Sequence, residues 1–333
     1  MPDLDRRALL VGSVALGATA AVPAAAAQKS GQTSGQPDLS GKSILISGAA
    51  TGFGRLGAEH YARLGAKVFA TMRNLPRPEA EALQKLARDA KLDITLLEID
   101  VLDDAQVAAG VSEAERLAAG AIDLLVNNAG VMITGPVEMQ DPEALRLLFD
   151  TNLFGCQRMA RAVLPAMRKA RSGYIVNMAS QAGRVVFPGL GAYSASKFAV
   201  ESWAEQLAYE VATLGIGVGI IEPGGYPTRI MENSNASSVA LRDREPDERK
   251  AAYPGFVAQM GKSVSTAVAS DPMDIPHAIA RLIATPPKDR PLRSAVASTP
   301  SPQDPINTVC ADVQRKMLGS GPFSAASEIV LGA

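Results

Sequence analysis

Short apolar runs alternate with helix-length segments along most of this chain, and the first run ends in a glycine-rich loop. Ser43-Ile-Leu-Ile-Ser47 reads as a strand, and Gly52 to Leu64 reads as a helix. Further strands are expected at Lys67 to Met72, Ile94 to Ile99, Ile122 to Asn127, Tyr174 to Met178 and Gly217 to Ile221. Between them lie helical stretches at Pro78 to Ala90 and Asp103 to Ala118, and another from Tyr193 to Thr213. Asp141 suits an N-cap, with Pro142 at the first helical position. The helix it opens runs toward Ala170, with a bend expected near Pro165. Pro272 to Ala284 reads as a late helix and Leu292 to Val296 as a last strand. Strands alternating with helices imply βαβ units, and right-handed crossovers close them into a doubly wound parallel sheet. The expected fold class is therefore α/β of Rossmann type, a single domain of about seven strands with helices on both faces.

Composition narrows the function classes. The 333 residues are 47% hydrophobic and 20% charged, which excludes disorder as a description of the whole. A net charge of −1, from 33 basic and 34 acidic residues, supplies no overall field for nucleic acid. Two cysteines, Cys156 and Cys310, exclude a disulfide scaffold and a multi-cysteine metal site. Two histidines, His60 and His277, leave no basis for a histidine zinc centre, and no metal is expected.

The N-terminus reads as a targeting segment. Arg6 and Arg7 precede an apolar run from Ala8 to about Val22, and Ala25-Ala26-Ala27 offers a cleavage site. The paired arginines resemble a twin-arginine signal, which implies export to the periplasm and no membrane attachment after cleavage. The alternatives are an uncleaved anchor or a frayed tail on a cytoplasmic protein. The division of the chain is then 1–27 signal, 28–38 flexible linker, 39–297 dinucleotide-binding domain and 298–333 C-terminal extension. Within the domain, 226–270 is a lid region over the substrate.

The loop Ser47-Gly-Ala-Ala-Thr-Gly-Phe-Gly54 joins the first strand to the first helix. Its glycines, Gly48, Gly52 and Gly54, suit sharp turns and close approach of a phosphate. The following helix N-terminus offers free N–H groups and partial positive charge to a pyrophosphate. Thr51 and Phe53 belong to the same loop. At the end of the second strand no carboxylate stands ready for a ribose hydroxyl, and Arg73 is the first basic residue. An arginine there can pair with a 2′-phosphate, so NADP(H) is preferred, with NAD(H) as the alternative.

Further motifs follow in order. Asn127-Asn-Ala-Gly130 ends the fourth strand, Asn152 lies in the next helix, and Ser180 follows the fifth strand. Tyr193-Ser-Ala-Ser-Lys197 comes next, then Pro223-Gly224 and Thr228. Alone, each has an ordinary reading: a turn, a cap or a surface contact. Together they resemble the short-chain dehydrogenase/reductase family over about Leu39 to Thr228. Two departures are mild: Ser47 replaces a usual threonine and keeps its hydroxyl, and Ala179 replaces a frequent serine.

Tyr193 and Lys197 are four apart on a helix and share a face. A nearby ammonium favours phenolate, and at about 4 Å with an effective dielectric of about 20 the attraction is of order 4 kcal/mol. That would lower a phenol from about 10 by up to about three units. Ser180 would hydrogen-bond the substrate oxygen. The resemblance further implies that Lys197 binds the nicotinamide ribose and that Asn152 helps hold a water linking the lysine to solvent. It places Asp100 and Val101 at the adenine, Asp100 being alternatively the next helix's N-cap. It places Asn127, Ala129 and Gly130 beside the adenosine, and it adds Pro223, Gly224 and Thr228 to the cofactor site. It also implies a homodimer or homotetramer built through the helices carrying Asn152 and Tyr193.

Cys156, Met159 and Met167 read as packing. Arg242 to Lys250 reads as a solvated helix. Tyr226, Ile230, Met231, Tyr253, Phe256 and Met260 are expected on one wall of the substrate site, with Val185, Val186, Phe187 and Leu190 on the other. The substrate is then a small molecule, a medium-sized apolar alcohol or ketone. Two other readings are a non-catalytic dinucleotide sensor and a sugar-nucleotide epimerase or dehydratase. The intact Tyr193, Lys197 and Ser180 count against the first, and the glycine spacing and compact length against the second.

Overall fold

The apolar runs become seven strands of one sheet. The computed structural model describes residues 36–262, 270–297 and 301–332. The signal, most of the linker, and parts of the lid and extension lie outside the described residues. The strands are β1 (Ser43–Ile46), β2 (Lys67–Met72), β3 (Ile94–Glu98), β4 (Leu124–Asn127), β5 (Gly173–Met178), β6 (Ile216–Pro223) and β7 (Arg293–Val296). Their order is β3-β2-β1-β4-β5-β6-β7, and every pairing is parallel. The chain winds outward from β1 in one direction to β3, then returns to β4 and winds the other way. The crevice at the carboxyl ends of β1 and β4 is thus the switch point where such sheets bind ligands.

The helices are α1 (Gly52–Arg63), α2 (Pro78–Asp89), α3 (Asp104–Ala118), α4 (Pro142–Phe149), α5 (Gly155–Ala170) and α6 (Ala192–Ala212). Then come α7 (Arg229–Arg244), α8 (Asp247–Ala252), α9 (Pro254–Val257), α10 (Asp274–Ala284), α11 (Asp304–Leu318) and α12 (Ser324–Leu331). Strand residues alternate between two cores because successive side chains point to opposite faces. Ile44, Ile46, Val68 and Val176 pack with Tyr61 of α1, Leu83 of α2 and Ile279 of α10. Leu45, Phe69, Leu125 and Ile175 pack with Val111 of α3, Met159 of α5 and Val200 of α6. A third cluster, with Met139, Leu148, Tyr193, Leu241 and Met260, covers the catalytic end.

The long helix expected from Asp141 to Ala170 differs in its break. Asp141 caps it as expected, accepting from Ala144 N at 2.8 Å. The helix runs through Pro165, and the interruption is a π-helical turn over Asp150–Phe154. Hydrogen bonds made by Asn152 to other segments account for the placement. The stretch 242–250 is less solvated than expected. The chain breaks at Glu245-Pro246, the Glu245 side chain is buried against Arg249, and Arg244 pairs with Asp141. The extension forms α11 and α12, and Val330 and Leu331 of its end pack onto the core beneath α6. Among the described residues no helix is long and apolar enough to cross a membrane.

Candidate active site

The glycine loop is held from both sides of β1. Ala49 N donates to Thr71 O on β2 at 2.9 Å, and Ser47 N donates to Val126 O on β4 at 3.0 Å. The Ser47 hydroxyl accepts from Asn128 N and Ala129 N, both at 3.0 Å. The Asn128 amide donates to Ser47 O and Gly48 O at 2.9 and 3.0 Å. Gly48 adopts φ +68°, and a Cβ there would stand 2.9 Å from Ala129 Cα. A Cβ at Gly54 would stand 2.5 Å from the Asn128 amide nitrogen. The loop therefore presents bare backbone at the first turn of α1, the geometry a pyrophosphate needs.

Asn127 lies behind this loop. Its amide donates to Asn177 Oδ1 at 2.9 Å, so a buried pair links β4 to β5. Asn177 escaped the sequence reading, although a polar residue inside an apolar strand was its signal. Asn128, which the resemblance counts within the segment that stabilises the central sheet and lines the adenosine side, is the residue that ties the glycine loop to β4.

Ser180, Tyr193 and Lys197 meet at one cleft, together with Asn128, Gly130, Pro223, Gly224 and Thr228. Ser180 begins a 3-10 turn, Gln181–Gly183, and its oxygen accepts from Ala182 N at 3.0 Å. The hydroxyl proton is left to donate into the cleft. Tyr193 and Lys197 project from the first two turns of α6. Lys197 Nζ donates to Met178 O at 2.7 Å and lies 5.8 Å from the Tyr193 ring centre.

The electrostatics differ from the expected phenolate. Burial pushes the Tyr193 phenol above its ordinary value, opposed by a hydrogen bond with Ser180. Burial also pulls the Lys197 ammonium down to about 8, with Cys156 and Glu201 acting the other way. Desolvation of both groups outweighs the attraction drawn from their spacing, because Lys197 points at the Met178 carbonyl. The Tyr193 phenol thus keeps its proton at neutral pH.

Asn152 sits in the π turn, fully buried. Its Oδ1 accepts from Val131 N at 2.8 Å, and its Nδ2 donates to Val131 O at 3.0 Å and Ser196 Oγ at 2.9 Å. Ser196 Oγ in turn donates to Tyr193 O at 2.7 Å. The Asn152 side chain therefore staples the segment after Gly130 to the first turn of α6.

The cleft encloses about 560 Å³. Phe187 and Leu190 form one wall, and Tyr226, Ile230, Met231, Phe256 and Met260 the other, as expected. Val185 and Val186 do not line it; Val186 is 70% exposed, on the outer side of its loop. Tyr253 also lies off the cleft, bonding through its hydroxyl to Glu138. Met132, Met178, Gln259 and Lys262 also line it.

At the adenosine end, Arg73 follows β2 and is exposed. Among the described residues its guanidinium makes no hydrogen bond or ion pair, so it is available to a phosphate. Asp100 is not the N-cap of α3. Asp103 takes that role, accepting from Ala105 N and Gln106 N, while Asp100 accepts from Leu102 N at 3.0 Å. Val101 is buried against Gly155. The open glycine cradle and the unpaired guanidinium fit a nicotinamide dinucleotide.

Known proteins are similar to this chain in sequence and in fold. Residues 42–238 match the profile of the short chain dehydrogenase family. A 3-ketodihydrosphingosine reductase of Bacteroides thetaiotaomicron is 37% identical over 61% of this chain and 70% of its own length. Human retinol dehydrogenase 8 is 31% identical over 80% of this chain and 85% of its own. A Burkholderia phymatum short chain dehydrogenase/reductase solved with NAD superposes with a TM-score of 0.67 at 27% identity, covering 86% of this chain and 97% of its own. A metagenomic short-chain oxidoreductase solved with NADP gives 0.61 at 25% identity, covering 79% and 99%.

Proposed function

The chain belongs to the short chain dehydrogenase family, an oxidoreductase acting on CH–OH and C=O groups, and on that premise we propose that it is NADP(H)-dependent, with an apolar alcohol or ketone as substrate and Tyr193 as general acid/base. The observation that carries this reading is the meeting of Ser180, Tyr193 and Lys197 in one apolar cleft that continues to the glycine loop. The nicotinamide, when bound, supplies or accepts the hydride. Ser180 donates a hydrogen bond to the substrate oxygen. Tyr193 gives that oxygen its proton in reduction and takes it in oxidation. Lys197 keeps a positive charge below about pH 8 and would hold the nicotinamide ribose beside the phenol. Reduction should therefore slow as pH rises through the tyrosine's titration, and oxidation should speed up.

Substrate size follows from the walls. Methionines at 132, 231 and 260 give a polarizable, adaptable lining. The names of the 3-ketodihydrosphingosine reductase and the retinol dehydrogenase both point to long apolar substrates. A long-chain or bulky ketone is the reading carried to this chain.

Calorimetric titration with NADPH and NADH, followed by NADPH oxidation across ketones of increasing chain length, tests it. The expected result is tighter NADPH binding that Arg73→Ala abolishes, with kcat/KM rising with chain length. Equal affinities that Arg73→Ala leaves untouched would overturn the phosphate assignment. Cofactor binding without turnover of any ketone or alcohol would overturn the enzyme reading in favour of a sensor.

A further inference from the structure

Behind the cleft lies a buried polar cluster to which residues outside the matched family segment contribute. Glu222 is fully buried and immediately precedes Pro223-Gly224. Glu201 stands one helical turn beyond Lys197 on α6 and is also buried. Arg293 of β7 bonds Glu201 at 2.9 Å, and lies 3.6 Å from Glu222. Arg184 ends the turn that begins at Ser180. Helix α11 of the extension closes the cluster. Gln303, at its N-terminus, donates to Glu222 O at 3.4 Å. Asn307, one turn on, donates from Nδ2 to Glu222 Oε2 at 2.7 Å, and its Oδ1 accepts from Arg184 Nε at 2.8 Å.

The position demands a residue that both donates and accepts. A carboxylate there would face Glu222, and an ammonium would face Arg184. A neutral amide satisfies both neighbours at once. The two partners differ in how firmly they are otherwise held. Glu222 lies in β6, which is paired to β5 and β7 on both sides. Among the described residues the backbone N–H groups of the Ser180 turn bond only locally, from Ala182 N, Gly183 N, Arg184 N and Val185 N back to residues 180 and 181, and the Ser180 side chain also meets Tyr193. The anchor is therefore the strand, and the anchored part is the turn.

We propose that Asn307 is a positioning residue: by joining Arg184 to Glu222 it fixes the turn carrying Ser180 against β6, which makes α11 part of the active-site frame. The catalytic consequence rests on the assignment of Ser180 and Tyr193 above, whereas the tether does not.

Two readouts on the full chain separate the two. Hydrogen exchange of the fragment containing residues 181–184 reports the tether without reference to turnover. In Asn307→Ala its rate should rise at least tenfold, while the exposed Val309→Ser, on the outer side of α11, leaves it unchanged. In steady-state kinetics Asn307→Ala should lower kcat about tenfold and move the cofactor KM less than threefold. Asn307→Asp alone should behave like Asn307→Ala. Asn307→Asp combined with Glu222→Gln reverses donor and acceptor at the same net charge, and should restore kcat and exchange to within threefold of the parent. Unchanged exchange, unchanged kcat, or a reciprocal pair that fails to restore either would overturn the proposal. A parent protein that turns nothing over, while exchange still responds to Asn307, would overturn the reading of the site and leave the tether standing.

Discussion

Tyr193 and Lys197 bury a proton donor and an amine side by side, and each contact has a measurable cost. Replacing Tyr193 with Phe keeps the ring packing in the cluster around Met132 and removes only the hydroxyl. Turnover should fall by about 10²–10⁴, the usual worth of a positioned acid or base, with cofactor affinity unchanged. Loss of both together would place Tyr193 in binding rather than proton transfer. Lys197 makes a prediction about stability. Its folded pKa, about 8, lies below the unfolded value of 10.5. The unfolded chain thus binds more protons between those values, and folding gains stability as pH rises through that window. The full shift corresponds to about 3 kcal/mol. Lys197→Met lacks this dependence, so its stability relative to the parent should decline from pH 7 to pH 9.5. A difference in unfolding free energy that stays constant over that range would show that the amine is not desolvated.

The glycine loop and the π turn show what a local pattern can and cannot specify. Gly54→Ala drives a Cβ against the Asn128 amide and Gly48 O, so the loop must shift where phosphate binds. Cofactor affinity should fall at least tenfold by titration. Gly41→Ala is a control: it has φ +77° and open space, at the opposite end of β1, so it should cost stability and leave affinity alone. Equal effects of the two would mean the loop acts only through global stability. The strands and helices around this loop were legible because apolar runs and caps are local signals, as at Ser43–Ile46 and Asp141. The Tyr193-Ser-Ala-Ser-Lys197 and Ser180 motifs were legible for the same reason. The π turn was not. Its cause is a set of bonds from Asn152 to Val131 and Ser196, 21 and 44 residues away, while Pro165 offered a closer but mistaken signal. The phenol's environment was hidden likewise, because the Met178 carbonyl that draws Lys197 away belongs to β5 and not to α6.

At the scale of the whole molecule, charge burial couples the sheet edge, α6 and the extension. Glu201, Glu205 and Glu222 face Arg184 and Arg293, with Lys197 one turn away on the same helix. The buried Glu201 and Glu222 carboxyls disfavour each other's charge, in a site where a poorly compensated charge is costly. Holding one proton between these two relieves that repulsion. Burial raises Glu201 above the carboxylate range, the Glu222 carboxylate adds to this, and Arg293 and Arg184 oppose it. Nothing in the sequence announced this, since the carboxyls and arginines are scattered from position 184 to position 293 and each alone reads as an ordinary surface charge. The sign of the linkage is fixed by the raised value. The folded state keeps a proton that the unfolded chain loses near its ordinary pKa of about 4.3. The contribution is complete below that pH, and it is lost as pH rises through the folded value. Glu201→Gln holds an uncharged amide at every pH and removes that loss. Urea unfolding at pH 5, 7 and 9 should therefore show the variant gaining stability relative to the parent at each step upward. Groups elsewhere titrate in both proteins and cancel in the difference. Parallel curves would mean that Glu201 and Glu222 are both ionised in the native state, with the two arginines and Lys197 alone holding the pair together.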